Sequence, residues 1–177
     1  DRRFAELAEA QRRHYEEFVA FRKHIENRLE NLQKQVGALS EVMGATAEQE
    51  ARDILVGVLR QKGFHLQEAP RLIAFDGYEV DLVAPVVDPE GRSGWVLVEV
   101  KLRLSADHVR AWAGRARSAG FQKRLSALGI KPPYWFYIYG LRVLWGAEDA
   151  ARDAGVGLLW PRGEWIPAPG PEGEAVS

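Results

Sequence analysis

The chain has 177 residues, 46% of them hydrophobic, a formal net charge of -1 at pH 7 and no cysteine. That is enough apolar material for one core plus an appendage, and the missing thiols exclude disulfide frameworks, thiolate zinc sites and cysteine nucleophiles. Any metal must sit on oxygen or histidine, and no run approaches the ~18 apolar residues of a membrane span, so a soluble, cytoplasmic protein is expected.

Residues Phe4 to Met43 hold no proline and one glycine, Gly37. Alternate steps of four and three select Phe4, Ala8, Gln11, Tyr15, Phe18, Arg22, Ile25, Leu29, Leu32, Val36, Leu39 and Met43, a heptad seam on one long helix. At 1.5 Å per residue the helix runs roughly 60 Å, more than a domain of ~130 residues can cover. Residues 1–43 therefore read as a coiled-coil segment that needs a partner helix. A homo-oligomer, in the simplest case a dimer, is expected, with Gln11 and Arg22 as polar register positions and the orientation open.

Met43-Gly44-Ala45 reads as a break. Thr46 then starts a second helix, with Gln49 at capping-box spacing, that stops at Gly63. Short strands are expected at 64–66 and 71–75, followed by the Asp76-Gly77 turn and an alternating strand from Tyr78 to Ala84. The turn-rich segment Asp88–Gly94 leads into a Val- and Leu-rich strand from Trp95 to Leu104, so the two strands form a hairpin. Ser105 caps a helix expected to reach Leu128, with Gly114 and Gly120 as weak points. An aromatic strand (Tyr134–Tyr139, continuing past Gly140), a short helix (Ala147–Ala154) and a last strand (Gly155–Trp160) follow. The Pro- and Gly-rich residues 161–177 read as an exposed tail. The order implies an α/β domain over residues 44–160.

Within Trp95–Leu102 the side chains alternate, so Glu99 and Lys101 share a face opposite Val96, Val98 and Val100. Charges on a strand that otherwise reads as buried are unfavourable by several kcal/mol unless paired or bound to metal. The hairpin can bring Asp81 beside Glu99. Two carboxylates with water suit Mg²⁺ or Mn²⁺, and Lys101 could orient or deprotonate a water and stabilise charge on a phosphate. The plainer alternative is a strand ion pair with Asp81 at a turn.

Glu79-Val80-Asp81-Leu82-Val83-Ala84 followed by Leu97-Val98-Glu99-Val100-Lys101 resembles the signature of the PD-(D/E)xK nucleases. Within that superfamily, residues 44–160 are similar to archaeal Holliday-junction resolvases and to bacterial proteins that join a coiled coil to such a domain. The resemblance implies a restriction-endonuclease-like mixed sheet flanked by helices and a divalent-metal-dependent endonuclease acting on DNA, RNA not excluded. It implies Mg²⁺ (or Mn²⁺) held by Asp81, Glu99 and the Val100 carbonyl, with Lys101 catalytic. Val80 stands where the nominal proline of the signature would be. The family also places a glutamate on the first helix. Glu48 and Glu50 compete for that place, and Glu48, inside the apolar stripe and within Gly44-Ala45-Thr46-Ala47-Glu48, is preferred as the assisting residue.

From Val100 to Lys131 there are eight basic residues and one acid, Asp107. Arg103, Arg110, Arg115, Arg117, Lys123 and Arg124 are therefore candidates for phosphate contacts. The rival expectation is a nuclease-like scaffold that binds nucleic acid or protein without cutting.

Overall fold

A computed structural model describes residues 2–173. Helix α1 spans Arg2–Gln61 without interruption, so Gly44 does not end the first helix and Thr46 does not cap a second. An isolated glycine costs a helix about 1 kcal/mol relative to alanine. Met43, Ala45 and Ala47 are strong helix formers, and no proline intervenes to remove the backbone bonds. The chain nevertheless divides into two units, Asp1–Val42 and Met43–Ser177. Residues 2–43 are exposed throughout, whereas Ala47, Ala51, Leu55, Val58 and Leu59 are buried.

The second unit is a seven-stranded mixed sheet with helices on both faces. Its strands are β1 (His65–Leu66), β2 (Arg71–Phe75), β3 (Tyr78–Val87), β4 (Ser93–Leu104), β5 (Tyr134–Val143), β6 (Gly157–Trp160) and β7 (Gly163–Ile166). They run in the order β1-β3-β4-β5-β6-β7, and β2 pairs with β3. The β3–β4 hairpin is antiparallel, β4–β5 and β5–β6 are parallel, and β6–β7 is antiparallel. Helices α2 (Ala106–Arg117), α3 (Ala119–Ala127) and α4 (Ala147–Ala154) complete the unit.

Strand alternation builds two cores. Leu97, Tyr134, Phe136 and Ile138 face Val109, Trp112, Phe121, Leu125 and Ala150 of α2, α3 and α4. Val96, Val98, Trp135, Tyr137 and Tyr139 face Ala51, Leu55 and Leu59 of α1. The aromatic run of β5 is thus shared between both cores and buried throughout. At the start of β4, a side chain on Gly94 would strike the Pro133 carbonyl and the Trp135 ring, so only glycine admits this approach.

Strand β3 runs on to Val87, past the expected end at Ala84, and two later boundaries also differ from expectation. The helix after Ser105 ends at Arg117, because Ser118 leaves helical geometry and caps both neighbours. Its hydroxyl donates to the Arg115 carbonyl at 2.8 Å and accepts from the Phe121 amide at 3.4 Å. A serine with a local backbone partner competes with the helix better than either glycine weakens it. The segment after Trp160 is also not a free tail. Strand β7 pairs with β6 and buries Ile166. Glu172 exchanges two backbone bonds with Tyr134 and accepts from Arg117 at 2.7 and 2.5 Å. Proline and glycine content concealed a short strand and an anchored carboxylate, while residues 174–177 of the expected tail lie outside the described residues. Among the described residues no helix is long and apolar enough to cross a membrane.

Candidate functional site

The site grows out of the β3–β4 hairpin. Its turn is fixed by Asp88, whose carboxylate accepts from the amides of Glu90 and Arg92 and from the Arg92 guanidinium at 2.6–3.0 Å. The turn sets a register that runs from Val87 opposite Ser93 to Leu82 opposite Val98. One step further brings Asp81 level with Glu99, on the face that carries Val83 and Leu97. There the side chain replaces the ladder, and Asp81 Oδ2 accepts the Val100 N–H at 2.6 Å. The Val100 carbonyl was the expected contributor to the site, whereas the bond described here is made by its amide.

Glu99 is 7% exposed. Its Oε1 accepts from Lys101 Nζ at 2.6 Å, and its Oε2 from Arg115 Nη2 at 2.5 Å. A buried carboxylate would cost several kcal/mol if left alone, and two charge-assisted bonds offset that cost. The Arg115 guanidinium lies over the Trp112 ring at 5.0 Å, and its Nε is buried without a partner. Arg115 was expected on a nucleic-acid surface. The structure pairs it with Glu99, with a third of its side chain still exposed. It follows Trp112 by three positions, at the edge of the stripe α2 buries against this face, which is the signal that could have found it.

Among the described residues no ion pair holds Asp81, whose bonding partner is the Val100 amide. Burial pushes its carboxyl up to about 6, the Val100 amide opposes this, the Glu99 charge raises it again, Lys101 lowers it, and Glu48 adds a last, small upward push. Of the two helix glutamates, Glu48 is therefore the one whose charge reaches Asp81. Glu50 lies near the buried hydroxyl of Tyr139, which burial first and Glu50 second hold above the usual phenol range.

No family model, curated protein or solved structure matches this chain. Its function must be read from these side chains. They present carboxylate oxygen, the donor that Mg²⁺ and Mn²⁺ prefer, and Mg²⁺ commonly takes one or two protein carboxylates and completes its shell with water. A carboxylate oxygen already bonded to a cation keeps a lone pair, so Asp81 and Glu99 offer donors of the type a hard divalent ion takes, although both oxygens of Glu99 already face cations. Among the described residues no group of three or more Asp, Glu or His is gathered to hold one unaided.

The remaining basic candidates separate into two sets. Arg117 is held by Glu172 and the Gly155 carbonyl, and Arg124 faces Asp76 at 3.7 Å and lies over the Tyr78 ring. Arg103, Arg110 and Lys123 are exposed, although Arg110 also meets Asp107 at 2.9 Å. Arg142, which sequence reasoning missed, stands beside Arg103 on the neighbouring strand, and both are exposed. Only the parallel pairing of β4 with β5 brings them together, so no local motif could reveal it. His108 is structural, since its Nδ1 accepts from the Ser105 amide and its own amide donates to the Ser105 hydroxyl.

Proposed function

We propose that the second unit is a divalent-metal-dependent phosphodiester hydrolase acting on DNA, with a PD-(D/E)xK arrangement on a restriction-endonuclease-like sheet. The observation that carries this reading is the convergence of Asp81, Glu99 and Lys101 on one face of one hairpin, with Asp81 left short of positive charge. Asp81 and Glu99 would hold Mg²⁺ or Mn²⁺, which supplies a polarised phosphate and a more acidic water when bound. Lys101, whose side chain is 35% exposed against 9% for Glu99, reaches solvent from a buried carboxylate. It is therefore placed to orient a water or to stabilise charge growing on a phosphate oxygen. Glu48 assists through its charge. Arg103, Arg142 and Lys123 supply exposed positive charge for the nucleic-acid backbone.

A second reading has a specific observation in its favour. Both oxygens of Glu99 already accept from cations, which suits a nuclease-like scaffold that binds without cutting. Incubation with branched, single-stranded and duplex DNA in Mg²⁺ or Mn²⁺, beside the Lys101→Ala protein, separates the two. Cleavage by the parent and none by the variant supports the hydrolase. Salt-sensitive binding with no cleavage by either supports the scaffold.

A further inference from the structure

The helical segment 2–43 leaves all of its residues exposed. Phe4, Phe18, Leu29 and Leu39 of the heptad seam are each more than half exposed. A stripe of this length needs a cover, and the segment's own charges admit an identical one, with eight basic residues matching eight acidic ones over residues 1–43. Four of those pairs already close within the helix, at Arg2–Glu6, Arg12–Glu16, Arg22–Glu26 and Glu30–Lys34. Net repulsion therefore does not oppose a second copy.

We propose that a second copy of this chain covers the stripe in antiparallel orientation, overlapping from Phe4 to Met43. A parallel pair sets each seam residue against itself. Arg22 then faces Arg22, and Phe21, flanking the seam, lies beside Glu26 of the other chain, an aromatic face against a carboxylate. Reversing one helix in full overlap changes both contacts. Arg22 now faces Ile25, Gln11 faces Val36, and Phe18 faces Leu29, so neither polar seam residue meets its own kind. Phe21 flanks Arg28, which places a guanidinium on an aromatic ring twice per pair. The two copies of Met43 then sit at opposite ends, roughly 60 Å apart at 1.5 Å per residue. This pairing stands independently of the hydrolase reading.

The absence of native cysteine permits a direct test with the full chain. Ala10→Cys and His24→Cys are both exposed and off the seam, and each variant is spin-labelled for electron–electron distance measurement. Antiparallel overlap places the two labels at position 10 about 40 Å apart, from 27 residues of axial offset, and those at position 24 within about 20 Å. Light scattering is expected to give twice the chain mass. A short distance at position 10 overturns the orientation. A monomer, or three or more chains, overturns the pairing.

Discussion

The two units break the ordinary partition between oil and water in opposite directions. In residues 2–43 apolar side chains stand in solvent, Phe4 at 79% exposure and Tyr15 at 68%. In the second unit charge stands out of solvent, with Glu99 at 7%. The first anomaly has no remedy among the described residues of the segment, which is why a second copy of the chain is proposed to cover it. The second is mostly remedied from within, by Lys101 and Arg115, and the small remainder falls on Asp81. Each departure from simple solvation is where a proposal about this chain can be tested.

The largest expected effect tests whether the buried charge does chemistry. Lys101→Ala should lower metal-dependent DNA cleavage by about 10²–10⁴-fold, the range of a lost general acid or base, with binding retained in a filter or anisotropy assay. Next comes the internal remedy itself. Arg115→Met should destabilise the protein by about 2–4 kcal/mol in chemical denaturation, below the full cost of breaking a buried pair because Lys101 remains. Adding Glu99→Gln to that variant should restore part of the loss, since the stranded charge is then gone. If the double variant is no more stable than Arg115→Met, Glu99 is not the charge that Arg115 serves.

Asp81, Glu99 and Lys101 were legible from the sequence because strand alternation and a hairpin register are local rules, and together they fix which side chains share a face. The face partner of Glu99 was not, since Arg115 reaches it from a helix 16 residues on, and a count of basic residues placed it on a surface with Arg117. Gly44 misled for a related reason. Its cost of about 1 kcal/mol is a local penalty, while the helix is held beyond it by Ala51, Leu55 and Leu59 packing on the sheet. The strand after Trp160 was hidden by composition, and what reveals it is the pairing of β7 with β6 and the anchoring of Glu172 by Arg117 and Tyr134.

The third test concerns the charge left short. The Asp81 carboxyl rises from 3.8 to about 6 on folding, so the folded state binds more protons than the unfolded one between these values, and stability falls as pH rises through that window. Asp81→Asn keeps an acceptor for the Val100 amide but removes the ionisation. It should therefore gain about 1–2 kcal/mol over the parent at pH 8, discounted for partial exposure, and little near pH 4. Mn²⁺ should reverse the ranking if Asp81 is a ligand, raising the melting temperature of the parent at pH 8 and leaving that of the variant in place. A pH-independent difference would mean that the carboxyl is not desolvated as described.

The smallest effects belong to the exposed arginines, and they bear on whether the second unit meets a polyanion at all. Arg103 and Arg142 stand side by side on β4 and β5, and both are exposed. Two like charges held next to each other on a sheet repel unless an anion lies between them. Each phosphate neutralised adds about one to the slope of log affinity against log salt, so Arg103→Ala or Arg142→Ala should weaken DNA binding a few-fold and lower that slope by about 1. Arg117→Ala, whose charge is already matched by Glu172, should leave the slope unchanged and lower stability instead. Because both substitutions remove one positive charge, a slope that followed net charge alone would drop equally in each. An unequal drop locates the contact at the C-terminal end of the β4–β5 pair.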